Sequence, residues 1–446
     1  MSGRTRNGQA ALAVLAALML GAFHGSCRKP PSGPYLDAAL KAGAWLRASA
    51  IRGPEGLAWP ALPPEPKTVA LDLYSGVPGV VLFQLNAYYA TGQAAFLDDA
   101  KAGADHLLSK AGEVQGAGLY EGLAGIGFAL EETFKAGKDP KYRQAFVDIL
   151  ERIASSAKDV GRGVEWGPTA DIISGSAGTG LFLIYAFHET GGWHWLDLAA
   201  RAGARLIELG RPANGGLKWA MDPEFPRLMP NFSHGTAGIA YFLAALYRET
   251  KRAEFLDAAL AGAKYLLSIA KTEGETCLIF HDEPDNKDLY YLGWCHGPVG
   301  TARLFFLLSA VAGDTTWLHW VRKAANGLRQ SGIPERETPG FWNNAGICCG
   351  LAGVGEFFLD LYREMGDEAD LDFSERVAAR LLAKATVVDG RMFWVQAEHR
   401  TRPEYLLAQT GYMQGAAGIG SYLLRLAAAR RRSVRRAVFP DTPFVR

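Results

Sequence analysis

Three cysteines and two histidines carry the sharpest chemical signal in this chain of 446 residues. Cys295 stands in Trp-Cys-His-Gly and Cys348 and Cys349 in Cys-Cys-Gly, while His234 stands in Ser-His-Gly. Thiolate is a preferred ligand of zinc, and a helix N-terminus lowers a thiol pKa. Three protein ligands leave a fourth position open, as in catalytic rather than structural zinc sites. A centre with three thiolates is net negative and activates a bound thiol as a nucleophile more readily than it polarises an electrophile. The competing account is that these cysteines are small buried hydrophobes. A bridge between the neighbours Cys348 and Cys349 is strained, so a disulfide framework fits less well. His234 opens an apolar helical run, where the helix dipole disfavours its protonated form and keeps it near neutral for acid–base work. Asp171 either orients that histidine, fixes a substrate, or caps the helix that follows it. His296 reads as a zinc neighbour, a proton donor or a cap.

These residues share a register. A Gly-x-x-Gly element occurs seven times, with first glycines at Gly76, Gly122, Gly175, Gly235, Gly297, Gly350 and Gly415, spaced by 46, 53, 60, 62, 53 and 65 residues. A repeat of this kind sets the architecture. Immediately before the first glycine stand Ser75, Glu121, Ser174, His234, His296, Cys349 and Gln414, and all seven are expected at one end of a common cavity. Between the elements lies a second recurring unit, such as FLDDAKAGADHLLSKA (Phe96–Ala111) or FLDAALAGAKYLLSIA (Phe255–Ala270), with apolar residues at three- and four-residue spacing. That spacing is an amphipathic helix. The runs that follow the glycines are more apolar. The economical solution is an all-α fold, an α/α toroid with seven inner helices led by the glycines and seven outer helices around them. Glycines at the crowded helix starts let backbones approach closely, and seven helix N-termini at one end make a rim suited to anions.

The balanced charge, formally +1, gives no signal for nucleic acid. Residues 1–27 read as a signal peptide: Arg4 and Arg6 precede an apolar run from Ala10 to Phe23, then Gly25-Ser26-Cys27. Small residues before Cys27 make it the expected lipidation site, with a Pro-rich tether over 28–34 and the toroid over 35–446. The expected location is therefore outside the cytosol, lipid-anchored to a bacterial membrane. The basic stretch Ala429–Val438 reads as a solvated helix end, or as a contact with anionic lipid headgroups.

The segments GWCHGPVG (Gly293–Gly300), ICCGLAGVG (Ile347–Gly355), SHGTAGIA (Ser233–Ala240), DIISGSAG (Asp171–Gly178) and GYMQGAAGIGSYLLR (Gly411–Arg425) together resemble the lanthionine synthetase C-like (LanC-like) family over roughly residues 35–445. The resemblance implies an α/α toroid with Zn²⁺ at its mouth. It implies addition of a thiol to dehydroalanine or dehydrobutyrine, giving a lanthionine-type thioether in a peptide, or addition of a small thiol such as glutathione. By motif, Cys295 and Cys348 match the zinc cysteines, His234 the catalytic histidine and Asp171 the catalytic aspartate. Cys349 stands where many members have histidine, and His296 where some have tyrosine and others histidine. Tyr291 falls where bacterial cyclases of the family carry arginine, which leaves enolate stabilisation, or the substrate type, open. No dehydratase domain is present, so a dehydrated substrate has to come from a separate enzyme. Two other functions fit the sequence less closely: an exported, non-catalytic zinc-containing binding module, and a toroidal carbohydrate-active enzyme using Glu121 and Asp171 as a carboxylate pair.

Overall fold

The computed structural model describes residues 33–225, 227–431 and 435–445. The expected signal peptide over residues 1–27, with Cys27, and residues 28–32 of the expected tether lie outside the described residues. Gly33 precedes the first helix and Pro34 is its first residue, a position where the missing N–H costs nothing.

Fourteen α-helices alternate between two layers among the described residues. The outer layer is α1 (Pro34–Ser49), α3 (Ala94–Lys110), α5 (Pro140–Ser156), α7 (Trp193–Leu209), α9 (Ala253–Ile269), α11 (Thr316–Gln330) and α13 (Glu368–Lys384). The inner layer is α2 (Val77–Thr91), α4 (Leu123–Gly137), α6 (Ser176–Thr190), α8 (Thr236–Thr250), α10 (Pro298–Val311), α12 (Leu351–Met365) and α14 (Ala416–Ala427). Each inner helix packs on the outer helix that follows it, and α14 packs on α1, so the ring closes between the two ends of the chain. Every pair of neighbouring inner helices is also in contact, α14 with α2 included. The layers differ as their sequences dictate. In α2 every residue from Val77 to Ala87 is buried, whereas α5 buries one stripe of Tyr142, Phe146, Ile149, Leu150 and Ile153.

The first glycine of each element is the residue before the inner helix, and the second lies inside the first turn rather than ahead of it. Gly235 has an extended backbone (φ −154°), so the reason for glycine there is space, not conformation. A Cβ on Gly235 would lie 1.4 Å from the Met229 carbonyl oxygen, and one on Gly178 would lie 2.0 Å from that of Ile172.

Just before the glycines, the chain forms a belt of backbone hydrogen bonds that runs once around the ring. Tyr74 N–H donates to Tyr120 O (3.1 Å), Tyr120 N–H to Ile173 O (2.8 Å), and Ile172 N–H to Ser233 O (3.2 Å). Ser233 N–H donates to Cys295 O (2.9 Å), Cys295 N–H to Cys348 O (3.2 Å), Cys348 N–H to Met413 O (2.9 Å), and Met413 N–H back to Tyr74 O (2.9 Å). Every acceptor in the belt stands two residues before a first glycine.

Five short antiparallel hairpins, absent from the sequence expectation, also shape the molecule. Four follow an outer helix directly and lead into a tryptophan. The indole N–H groups of Trp59, Trp166, Trp219 and Trp394 donate to the carbonyls of Leu46, Ile153, Leu206 and Leu381 at 2.9, 2.7, 2.6 and 2.9 Å. Each bond satisfies a carbonyl in the last turn of the helix before the hairpin. Two of the hairpins turn on Asn214-Gly215 and Asp389-Gly390, all four residues with positive φ, as a two-residue turn of this kind requires.

The C-terminal segment is not a solvated helix end. Helix α14 stops at Ala427, and the chain from residue 435 turns back into the lumen of the ring, where Ala437, Asp441 and Phe444 are buried. Asp441 accepts from the Arg303 guanidinium (2.9 Å) and from the Tyr120 hydroxyl (3.2 Å), and Phe439 packs on the Tyr412, Phe128 and Tyr120 rings. Removing one partner of a buried ion pair strands the other charge, at a cost of roughly 3–5 kcal/mol. Asp441→Ala is therefore expected to lower the urea midpoint by a corresponding amount, and Asp441→Asn, which keeps hydrogen bonds to Arg303 and Tyr120, by less. Equal midpoints for wild type and Asp441→Ala would remove the lumen segment from the fold's stability.

Candidate functional site

Of the seven acceptor residues of the belt, two place their side chains toward the lumen and five toward the mouth. Tyr120 and Met413 face the lumen cavity, together with Trp294 and Ile347. Tyr74, Ile173, Ser233, Cys295 and Cys348 line a separate cavity of ≈ 390 Å³ at the mouth. Of the seven residues before the first glycines, Glu121, His234, His296, Cys349 and Gln414 line it as well. Ser75 and Ser174 do not. The Ser75 hydroxyl turns to Asp72 (3.1 Å), and Ser174 N–H is tied to Asp171 (2.9 Å).

Cys295, Cys348 and Cys349 meet in this cavity, all buried, with their sulfurs within 4.8 Å of one another. Cys349 Sγ is 3.1 Å from Cys295 Sγ and 3.5 Å from Cys348 Sγ. None is in a disulfide. Hydrogen bonds from Cys295 and Cys349 hold the Cys348 thiol well below its ordinary value, with Tyr74 and His234 helping. Burial pushes Cys295 well up, and Cys349 rises through its hydrogen bonds to the other two sulfurs. One negative charge is thus shared among three thiols, because like charges this close oppose a second ionisation. A cation removes that opposition. The donor set suits zinc, whose tetrahedral Zn–S bonds of about 2.3 Å put sulfurs about 3.8 Å apart. Cys277, in contrast, is buried apart from the cluster, and burial raises its thiol to about 11.

His234 and Asp171 come together as expected from their registers. His234 Nδ1 lies 2.5 Å from Asp171 Oδ2, and the aspartate is wholly buried. The other carboxylate oxygen accepts from Ser174 N–H (2.9 Å) and Gly175 N–H (2.8 Å), so Asp171 fastens the turn that leads into α6 rather than capping the helix itself, and orients the histidine. The expectation that the helix dipole keeps His234 near neutral is corrected by this pair. Burial works against the imidazolium, but the Asp171 hydrogen bond and charge, with Cys348 and Glu121 beyond, outweigh it and raise His234 above its ordinary value.

His296 is buried, with Nδ1 unpaired among the described residues, and burial plus the neighbouring His281 and His234 hold it well below its ordinary value. Its ring centroid is 5.5 Å from His234 and 4.4 Å from His281. His281 and its partner Asp282 were not foreseen from the sequence. Neither belongs to a glycine element, and they reach the cavity on the long segment between α9 and α10.

Two more residues escaped the sequence reading. Tyr74 takes a hydrogen bond from Gln414 Nε2 (3.1 Å) and hydrogen-bonds Cys348 in turn. Arg400 arrives on the loop joining the hairpin strands Val395–Ala397 and Leu406–Ala408, and its Nε donates to the Tyr291 hydroxyl at 3.4 Å. Burial pushes Tyr291 up to about 12, against the pull of Arg400. Arg400 carries the one guanidinium among the described lining residues and has no carboxylate partner among the described residues. Tyr291, which the resemblance places where bacterial cyclases carry arginine, therefore has a guanidinium beside it, supplied by another part of the chain.

Residues 67–439 match the family model described as lanthionine synthetase C-like protein. Among solved structures, nisin cyclase superposes with a TM-score of 0.61 at 15% identity, covering 87% of this chain and 93% of that one. The Lin0763 protein from Listeria innocua superposes at 0.50 and 14%, covering 89% and 97%. The α-1,6-mannanase of Salegentibacter sp. HEL1_6 reaches 0.49 and 12%, covering 89% and 99%, too distant to bear on chemistry. At these identities the likenesses speak to the fold alone.

If the three sulfurs form one metal site, Cys295→Ala, Cys348→Ala and Cys349→Ala each reduce bound zinc from stoichiometric to trace by elemental mass spectrometry of the purified chain. Cys277→Ala leaves it unchanged. Stoichiometric zinc surviving the loss of Cys295 and Cys348 together would refute this site.

Proposed function

Because the chain belongs to the lanthionine synthetase C-like family, we propose that it is a zinc-dependent enzyme that adds a thiol to a dehydroalanine or dehydrobutyrine of a peptide, forming a lanthionine-type thioether. The observation that carries this reading is the three-sulfur cluster facing the His234–Asp171 pair across one cavity. Zinc held by Cys295, Cys348 and Cys349 would lower the pKa of a substrate thiol and raise the population of its nucleophilic form. On the family reading the acceptor is a peptide, dehydrated beforehand by a separate enzyme.

The chain's own residues supply the rest. His234 exchanges a proton through Nε2, since Nδ1 is committed to Asp171. Arg400 faces the oxygen on which charge grows when sulfur joins the β-carbon and the acceptor becomes an enolate; Tyr291 braces it there. Tyr74 and Gln414 hold the Cys348 side of the cluster. The carbohydrate-active alternative is disfavoured by Asp171, whose two oxygens are both engaged and whose side chain is wholly buried.

The test incubates the zinc-loaded protein with a dehydroalanine peptide and an external thiol, and separately with a peptide carrying both groups. Mass spectrometry is expected to show the adduct in the first case and a ring, as loss of alkylatable thiol, in the second. Zinc-replete protein that turns over neither would instead support a binding module. Arg400→Gln should lower kcat/KM by about 10²–10³ while retaining zinc; an unchanged rate would take Arg400 out of the reaction. The same proposal extends to Cys27 as a lipidated N-terminus, for which Cys27→Ala should release the protein from the membrane fraction of a bacterial host. Retention of that variant would point to another anchor.

A further inference from the structure

Adding a thiol across a carbon–carbon double bond moves two protons. One leaves sulfur and one arrives at the α-carbon, and a single histidine serves both only if it reaches both the sulfur and the α-carbon, whereas two histidines divide the tasks. The mouth cavity holds two histidines, each fixed by a wholly buried carboxylate. His234 is held by Asp171, and His281 is held through Nδ1 by Asp282. His296 lies between them, and all three rings line the cavity.

Asp282 is itself held in place. Asn286 Nδ2 donates to both of its oxygens (3.0 and 2.8 Å), and Arg227 Nε lies 3.4 Å from Oδ1. The carboxylate therefore fixes the His281 tautomer, with the proton on Nδ1 and the lone pair on Nε2. A pair that served only to staple the loop would not need its imidazole in the cavity, yet the His281 ring packs on Tyr291 (centroids 4.1 Å) and on His296 beside the sulfur cluster.

We infer that His281, oriented by Asp282, is a second proton-transfer residue of this cavity, taking the thiol proton on Nε2 while His234 supplies the proton that the α-carbon receives. The inference rests on the thioether reading above. In the step, the S–H bond breaks and its proton passes to His281. A sulfur electron pair forms the C–S bond at the β-carbon, and the π pair moves onto the enolate. The α-carbon then takes a proton from His234, and His281 returns its own to solvent, from which His234 is recharged. Nothing is oxidised or reduced. The groups facing His281 agree with this role: burial outweighs Asp282 and, with Arg400 and Arg227 nearby, lowers its pKa, so the ring is neutral and ready to accept.

The experiment compares His281→Asn and His234→Asn in the zinc-loaded full chain, with a dehydroalanine peptide and external thiols of graded acidity. With an alkyl thiol both variants should lose about 10²–10⁴ in rate. With a thiol already ionised at the assay pH, His281→Asn should recover to within about tenfold of wild type, whereas His234→Asn should not, since general-base catalysis is no longer needed. Zinc content should match wild type in both. Asp282→Asn, which keeps one acceptor oxygen for the loop, should show the same dependence on thiol acidity in weaker form, and decides the matter if His281→Asn does not fold. A His281→Asn rate equal to wild type, or one reduced alike for every thiol, would overturn the inference while leaving the thioether reading intact. A wild-type protein that adds no thiol at all would overturn both.

Discussion

Everything at the mouth depends on the belt of backbone hydrogen bonds that closes on itself around the seven inner helices. Each net bond contributes about 1 kcal/mol, but a buried amide left without a partner costs more, so the belt is stabilised chiefly by the penalty of breaking it. Because its bonds are between main chains, it fixes the positions of seven residues without prescribing their side chains. Cys295 and Cys348 are consecutive members joined by such a bond, and Cys349 and His296 follow them directly. The sulfur cluster is thus assembled by the scaffold. The glycines serve the same end by removing every Cβ that would hold the belt away from the helix starts.

This division explains what was legible in the sequence. The toroid, its two layers, the cysteine cluster and the His234–Asp171 pair all follow from distance to a glycine, and that distance survives any change in loop length. His281, Asp282 and Arg400 have no such reference point. They lie on long connections whose path is set by what they pack against, and no spacing along the chain reports it. The two tight hairpin turns were legible in principle, since Asn-Gly and Asp-Gly carry the signal, but the strands beside them are only three residues long and lack a clear alternation. The burial of the C-terminal segment was hidden by its neighbours, because five arginines between 430 and 436 read as solvent-facing whereas Ala437, Asp441 and Phe444 do the packing.

The two cavities of the ring have opposite characters. The lumen is occupied by the chain's own end, with Phe439 among aromatic rings and Asp441 compensating Arg303. Tyr120 and Trp294, whose ring centroids are 5.2 Å apart, stand at the upper wall of that lumen just beneath the belt. The mouth, by contrast, concentrates ionisable groups: three thiols, four imidazoles, two glutamates and one guanidinium. Hydrogen bonds between the sulfurs shift Cys348 and Cys349, and burial with neighbouring charges shifts Cys295, His234, His281, His296 and Glu121, from their ordinary values, the usual mark of a functional site. Because the lumen is filled, the toroid is a cup rather than a channel, and a bound molecule enters and leaves by the same opening.

The pairing of α1 with α14 has a consequence for how the polypeptide is cut. The ring is continuous in space but interrupted once in sequence, and each outer helix runs toward the mouth while each inner helix runs away from it. The start of α1 and the described end at Val445, whose amide donates to Glu364 in the last turn of α12, therefore both lie on the side away from the cysteine cluster. Joining them and opening the chain at a different outer-helix start would give a circular permutant with the same ring, the same belt and an untouched mouth.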